Sequence, residues 1–215
     1  PRAAPPPILR GEAPSPAERP GHMVTVDTFR YGRSMSDARV EPGRLAELGP
    51  INWLVVRAMS LATGTDNAHI FATLGRSKGL FRGWLHYSSR MMPFGELSRK
   101  ETEMIIIRVA HLRGCDYELD HHRRLGAKAG ITGELYARIL DGPDAGWGDR
   151  ERTLLLAVDE LVGTRDITDG TWQALRRHLT ERKAIAFLLL VGQYDSLATT
   201  IGVLRVQRDT FAPGR

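Results

Sequence analysis

The chain of 215 residues contains a single cysteine, Cys115. One cysteine cannot form an internal disulfide, which excludes the small secreted domains that disulfides hold together. The thiol is therefore free for chemistry, and we expect a protein of a reducing compartment, the cytoplasm.

Long hydrophobic runs are also missing. The longest apolar run, AIAFLLLVG at 184–192, is shorter than the roughly 20 residues that cross a bilayer as a helix. The N-terminal segment has no apolar core of the kind that a signal peptide needs. These absences predict no membrane association and agree with a cytoplasmic location.

The chain has few aromatic residues and no block of like charges. Aromatic residues make up 7% of the sequence, and the net charge of +5 comes from 30 Lys and Arg residues scattered among 25 Asp and Glu residues. Nucleic-acid-binding proteins usually show a basic stripe or a known binding motif, and neither is found. We therefore expect no nucleic-acid partner, and a small molecule as the substrate.

The N-terminal part differs in composition from the rest. Residues 1–22 hold seven of the 12 prolines, which remove backbone donors and limit burial. We predict that residues 1–48 form a poorly ordered arm or drape over a partner. Residues 49–208 should then form one helical domain.

The remaining sequence has helical periodicity and no convincing alternating strand, which predicts an all-α helical bundle. INWLVVRAMSLAT at 51–63 is apolar on most faces and predicts a buried helix. Ser98 and Glu101 form a capping box at a helix start, and Gly114 and Gly130 are expected helix ends. Residues 101–122 and 181–202 match loosely, which indicates either an internal helical duplication or chance similarity.

The segment HLRGCDYELDHHRR at 111–124 collects the residues that carry chemistry. Cys115, Glu118 and His122 follow the spacing 0, +3 and +7, which places them within roughly 60° on one helix face. The thiol lies in the first turn, where backbone amides favour an anion, so we expect a lowered thiol pKa. Glu103, on the preceding helix, can face this group if the two helices form a hairpin.

The order Glu103, eleven residues, Cys115, two residues, Glu118, three residues, His122 resembles the motif of the alkyl hydroperoxidase D and carboxymuconolactone decarboxylase superfamily. Glu118 stands where the two-cysteine members have their second cysteine. The resemblance implies an all-α subunit in a homo-oligomer. We expect a trimer or a hexamer, with a dimer as the alternative. It also implies peroxide or disulfide chemistry at a cysteine in some members and lactone decarboxylation in others.

The leading hypothesis is a single-cysteine thiol peroxidase that reduces small hydroperoxides. Cys115 is its nucleophile, His122 the base that generates the thiolate, and Glu118 and Glu103 orient the imidazole or relay protons. Without a second thiol, the oxidised cysteine needs an external thiol reductant.

A second hypothesis is a cofactor-free lyase or isomerase that acts on a small carboxylated lactone. His122 and Glu118 then transfer protons, Arg113 or Arg123 holds the substrate carboxylate, and Cys115 is incidental.

A third hypothesis is a non-enzymatic helical assembly protein, in which Cys115 is a small buried hydrophobe with an ordinary or raised pKa. Glu118 and His122 are then an ordinary i, i+4 pair, and Glu103 forms a buried ion pair with Arg108 or Arg113. We expect no cofactor, and no metal either, because Glu118 and His122, with Glu103 as a third ligand, supply fewer than the four ligands of a structural site.

Overall fold

The computed structural model describes residues 38–211, so most of the predicted N-terminal arm lies outside the described residues. Within that range the secondary structure is helical, and an isolated bridge between Thr65 and Phe211 is its only β feature. The all-α prediction is confirmed. The helices are α1 (Leu45–Thr63), α2 (His69–Leu74), α3 (Gly79–Ser89), α4 (Arg99–Leu112), α5 (Asp116–Lys128), α6 (Gly133–Asp141), α7 (Asp149–Thr164), α8 (Asp169–His178) and α9 (Glu181–Leu204).

Helix α4 is the centre of the molecule. Every residue from Thr102 to Ala110 is buried, so the helix is enclosed on all sides by α5, α6, α7 and α9. An α-helix that is surrounded in this way can leave a polar side chain inside only if that side chain finds a partner. Glu103 and Arg108 are two such side chains, and both have partners.

The turn between α4 and α5 positions the cysteine. The predicted capping box is present, with the Ser98 hydroxyl accepting from the Glu101 amide and the Glu101 carboxylate accepting from the Ser98 amide. Gly114 adopts a φ of 59°, which favours glycine, and reverses the chain. The Cys115 amide then donates to the Ala110 carbonyl at 2.8 Å. The resulting hairpin lays α5 along α4.

Helix α1 differs from its prediction. Only one narrow stripe of the helix is buried, and it consists of Leu48, Asn52, Val56 and Ser60, each four residues after the last. The prediction of a buried helix is wrong because the apolar residues on the other faces, including Leu54 and Leu61, remain exposed in this subunit. Gly49, with a φ of 73°, and Pro50 kink the helix near its start.

Helix α9 is long and apolar enough, by length and composition, to cross a bilayer, and it alone has this property among residues 38–211. Half of the relevant stretch is buried inside the protein, where α9 packs on α4 and α7 as a core helix does. Residues 181–202 form one unbroken helix, whereas residues 101–122 contain the turn at Gly114. The duplication therefore stays a prediction.

Candidate active site

The α4–α5 hairpin brings the four predicted site residues to one buried place. Cys115 is the N-cap residue of α5, and Glu118 and His122 follow on the face that meets α4. Glu103 reaches this face from α4 and is fully buried. Two carboxylates, one imidazole and one thiol thus share a region from which water is largely excluded.

Three of these residues form a continuous line with one arginine. Glu103 Oε2 lies 2.7 Å from His122 Nδ1, and His122 Nε2 lies 3.2 Å from Glu118 Oε2. At the other end, Arg99 Nη2 lies 2.6 Å from Glu103 Oε1. We call the set Arg99, Glu103, His122 and Glu118 the charge line. It joins the surface, where Arg99 is partly exposed, to the thiol end of α5.

Sequence reasoning did not find Arg99. The signal was available, because Arg99 and Glu103 have the i, i+4 spacing that lets side chains meet on a helix. The prediction that Glu103 pairs with Arg108 or Arg113 is wrong, because both of these arginines have other partners. Arg108 forms a forked pair with Asp159, and Arg113 binds Asp195 on α9.

The imidazole of His122 is held in its charged form. Burial alone lowers the pKa of a histidine, but the hydrogen bonds to Glu103 and Glu118 raise the pKa of His122 to about 9. At neutral pH both ring nitrogens therefore carry protons and donate, one to each carboxylate. The ring is fixed further by Tyr194 of α9, which lies edge-on to it at 5.2 Å between ring centres.

The thiol of Cys115 does not behave as predicted. Burial, with a further contribution from the negative charge of Glu118, raises the pKa of Cys115 to about 12. The backbone amides of Glu118 and Tyr117 act in the opposite direction, as expected for a first turn, but they are outweighed. The prediction of a lowered thiol pKa is therefore wrong, and the resting thiol is neutral.

Cys115 also lacks the expected contact with the imidazole. Within residues 38–211 no hydrogen bond joins Cys115 to His122, and the charged side chain that acts on the sulfur most strongly is Glu118. The same described range contains no group of three or more His, Cys, Asp and Glu residues arranged to hold a metal ion.

Residues 78–160 match the model of the carboxymuconolactone decarboxylase family. This segment of the chain is similar to the members of that family. The match contains Glu103, Cys115, Glu118 and His122 together, so the family segment carries the whole charge line and the thiol.

Solved structures share the fold over most of the chain. A structure described as an alkylhydroperoxidase AhpD core, an uncharacterized peroxidase-related protein from Ralstonia eutropha JMP134, has a TM-score of 0.69 and 18% identity, and covers 80% of this chain and 92% of its own. An uncharacterized peroxidase-related protein from Silicibacter sp. TM1040 has a TM-score of 0.66 and 15% identity, and the match covers 88% of this chain and 96% of that protein. The debrominase Bmp8 has a TM-score of 0.66 and 16% identity, and the match covers 81% of this chain and 94% of that protein. A search of curated proteins finds no match.

The other face of α5 is tied to a residue far along the chain. Asp209 lies outside the carboxymuconolactone decarboxylase segment and accepts from the Tyr117 hydroxyl at 2.7 Å. The same carboxylate lies 3.0 Å from the ring of His121 and 2.8 Å from the ring of His69. Burial opposes the charge of Asp209, but the donors of His121 and His69 outweigh it and hold its pKa well below the usual range. No local pattern predicts this cluster, because Asp209 is 88 or more residues away from each of its three side-chain partners.

Proposed function

We propose that the protein is a single-cysteine thiol oxidoreductase that reduces small hydroperoxides with an external thiol. The observation that carries this proposal is the buried charge line, which ends at Glu118, three residues after Cys115 in the first turn of α5. Burying ions costs several kcal/mol each, and hydrophobic residues of similar size usually do as well for stability. Perturbed ionisable groups next to a nucleophile are typical of active sites.

The roles within the site differ from those that the sequence predicts. His122 is protonated at neutral pH and donates from both ring nitrogens, so it has no lone pair with which to accept the thiol proton. We assign the proton acceptor to Glu118, the carboxylate whose charge acts most strongly on the thiol. His122 then orients Glu118, and Glu103 and Arg99 hold His122 in place.

The proposed reaction balances as follows. The thiol proton passes to Glu118 while Cys115 sulfur attacks the peroxide, breaking the O–O bond. The leaving alkoxide takes the proton and departs as an alcohol, and the sulfur becomes a sulfenic acid. One external thiol forms a mixed disulfide and releases water, and a second thiol frees Cys115 and leaves as a disulfide.

Alkylation rate alone does not separate this proposal from a non-enzymatic role. A raised thiol pKa is what the assembly-protein hypothesis expects, and it also fits a thiol that loses its proton only when substrate is bound. Peroxide consumption and the adduct at the sulfur are therefore the decisive measurements.

The test follows the consumption of cumene hydroperoxide and hydrogen peroxide with dithiothreitol, in the wild type and in Cys115→Ser. A sulfenic-acid trap, followed by mass spectrometry, locates the oxidised sulfur. We expect consumption that depends on Cys115 and an adduct at that residue. Equal consumption by Cys115→Ser, or an untrapped Cys115, rejects the proposal. The same thiol assay includes 2,3,4-tribromopyrrole, since the debrominase Bmp8 was crystallised with that compound as a cysteine-to-alanine variant.

A second candidate is a cofactor-free lyase or isomerase, and the protonated His122 favours it because an imidazolium is a proton donor. The substrate carboxylate requires a different arginine from the two predicted. Arg113 is bound to Asp195, and Arg123 faces a cavity on the outer side of α5. Arg99 is the arginine of the site. In this case Cys115→Ser keeps activity on a carboxylated lactone and His122→Ala loses it.

A further inference from the structure

Met92 lies in the turn between α3 and α4, at the place where this turn meets α9. The Met92 sulfur lies 3.8 Å from the hydroxyl oxygen of Tyr194 and accepts its hydrogen bond. Two further hydrogen bonds hold the turn, since the Met92 amide donates to the Ser88 carbonyl at 2.9 Å and the Gln193 side chain donates to the Ser88 hydroxyl at 3.2 Å. The thioether therefore has a defined position beside α9.

Exposure separates Met92 from the methionines of the core. Met92 is partly exposed and the next two residues, Pro93 and Phe94, are exposed, whereas Met91 and Met104 are buried. A peroxide in solution oxidises a thioether only if it reaches the sulfur, so the two buried methionines are protected. Met92 is therefore the methionine beside the charge line that a dissolved oxidant can approach.

The Tyr194 hydroxyl is a buried donor with a weak acceptor. Burial, followed by the negative charges of Glu118 and Glu103, raises the pKa of Tyr194 well above its usual value, so the hydroxyl keeps its proton and donates. A thioether sulfur accepts hydrogen bonds only weakly. Oxidation converts it into a polar sulfoxide, whose oxygen accepts strongly. The oxidised form of Met92 therefore satisfies this hydroxyl better than the thioether does.

Tyr194 also contacts the charge line. Its ring lies edge-on to the imidazole of His122, with 5.2 Å between the ring centres, and both residues are buried. Protein interiors are close-packed with few voids, so a displaced side chain displaces its neighbours. A new acceptor for the Tyr194 hydroxyl therefore changes the surroundings of the His122 imidazole.

We propose that Met92 is an oxidation site for hydrogen peroxide, and that its sulfoxide acts on His122 through Tyr194. A lone pair of the sulfur attacks one peroxide oxygen, the S–O bond forms and the O–O bond breaks. The transferred oxygen gives its proton to the departing hydroxide, which leaves as water, and the two electrons lost by sulfur reduce the peroxide. No step uses Cys115, so the proposal holds or fails independently of the proposed function.

The first test measures which methionine reacts. The whole chain, as the Cys115→Ser variant so that no thiol competes, is treated with hydrogen peroxide, and peptide mapping by mass spectrometry follows the sulfoxide at each methionine. We expect Met92 to be oxidised at least about tenfold faster than its buried neighbour Met91, because oxidation follows exposure. Equal rates at Met92 and Met91 overturn the proposal.

The second test follows the imidazole of His122 by NMR during the same oxidation. The signal is assigned by its loss in His122→Gln. We expect it to shift as the Met92 sulfoxide accumulates, while the signal of His178, which pairs with Asp149 at the surface, stays in place. Met92→Leu retains an apolar side chain of similar size and should abolish the shift.

Two further variants identify the route. Tyr194→Phe keeps the ring and removes the hydroxyl, so the shift of His122 should be lost although Met92 is still oxidised. Met59→Leu is the matched control, because Met59 is a partly exposed methionine on α1, and this variant should retain the shift. An unmoved His122 signal after complete oxidation of Met92, or an equal shift in Met92→Leu or Tyr194→Phe, overturns the proposal.

Discussion

His122 has a carboxylate on each of its ring nitrogens, and this arrangement determines its charge. The ring is buried, so neither carboxylate shares its hydrogen bond with much water. Losing the ring proton would leave two negative groups facing one another across a neutral imidazole. The proton on His122 is therefore part of what holds α4 to α5.

The first prediction concerns stability against pH. The folded pKa of His122, about 9, lies above its usual value of 6.5, so its contribution is complete below pH 6.5 and is lost as pH rises through about 9. The free energy of unfolding should fall across this window, by at most about 1.4 kcal/mol per pH unit. Urea unfolding at a series of pH values measures it.

His122→Gln should show a smaller fall over the same window, and it should be less stable at neutral pH by about 3–5 kcal/mol because two buried carboxylates lose a partner. His178→Gln is the control, since that ring pairs with the exposed Asp149 at the surface. Parallel curves for the wild type and His122→Gln would contradict the assignment.

The second prediction separates two effects of Glu118 on the thiol. Its negative charge raises the pKa of Cys115, so Glu118→Gln should shift the pH profile of iodoacetamide labelling to lower pH. As the proposed proton acceptor, Glu118 should also be needed for turnover, and the variant should lose about 10²–10⁴-fold in peroxide reduction.

A thiol that becomes more acidic while the enzyme becomes slower distinguishes a base from a merely structural carboxylate. Glu134→Gln, an exposed residue of α6, is the control and should change neither measurement. Faster turnover in Glu118→Gln would show that the low thiolate fraction, rather than proton transfer, limits the reaction.

At the residue scale the sequence predicts which side chains meet but not how they are charged. The spacing of Cys115, Glu118 and His122 places them on one face because helix geometry is local. The pKa of Cys115 depends on how completely other helices exclude water, and the first-turn amides are a smaller effect. The role of His122 changed for the same reason, because its charge depends on how burial balances the hydrogen bonds to its two carboxylates.

At the element scale, α5 is fixed on two faces. One face meets α4 through the charge line, and the other is tied to Asp209 by Tyr117 and His121. Asp209 also accepts from the His69 amide at 2.9 Å, and the Tyr117 hydroxyl accepts from the Ile70 amide. The segment after α9 thus joins the start of α2 to the helix that carries the site.

The third prediction concerns the negative charge of Asp209, which links these elements. Asp209→Asn loses a buried anion that balances two histidines, and we expect a loss of about 2–4 kcal/mol in the free energy of unfolding. The amides of His69 and Ile70 should also exchange hydrogen faster than in the wild type. Chemical denaturation and hydrogen-exchange mass spectrometry measure the two effects.

Asp144→Asn is the control for Asp209→Asn. Asp144 pairs with Arg152 at the surface and its side chain is 82% exposed, so its removal should change stability by no more than about 0.5 kcal/mol. If Asp209→Asn changes stability as little as Asp144→Asn does, the Asp209 carboxylate does not fix the segment after α9 to α5.

Helix boundaries were the most predictable feature of the elements. Ser98 and the glycine turn at Gly114 mark α4 in the sequence and in the structure, because caps satisfy backbone groups locally. The burial of α1 was not predictable in the same way. Its apolar composition is a local property, whereas the narrow stripe it buries depends on where α2 and α3 lie.

At the scale of the whole molecule, the subunit leaves large apolar side chains in water. Leu54 and Leu61 of α1 are 61% and 69% exposed, and Ile185 of α9 is 58% exposed. Contiguous exposed apolar surface is typical of sites where proteins associate. The homo-oligomer expected from the sequence stays a prediction, and α1 is its most direct test.

The fourth prediction is that α1 contributes to an interface between copies. The double variant Leu54→Glu and Leu61→Glu should lower the mass measured by light scattering after size exclusion, because it places charges in an apolar contact. Lys128→Glu changes a surface charge without touching apolar area and should leave the mass unchanged. A wild-type mass equal to one subunit contradicts the prediction.

The contact between Asp209 and His69 spans 140 residues, and it has a consequence for synthesis. A nascent chain that has left the ribosome as far as α9 already contains Cys115, Glu118 and His122, yet it lacks the carboxylate that fixes the outer face of their helix. The helix that carries the thiol therefore acquires its final anchoring only after every helix described here has been made.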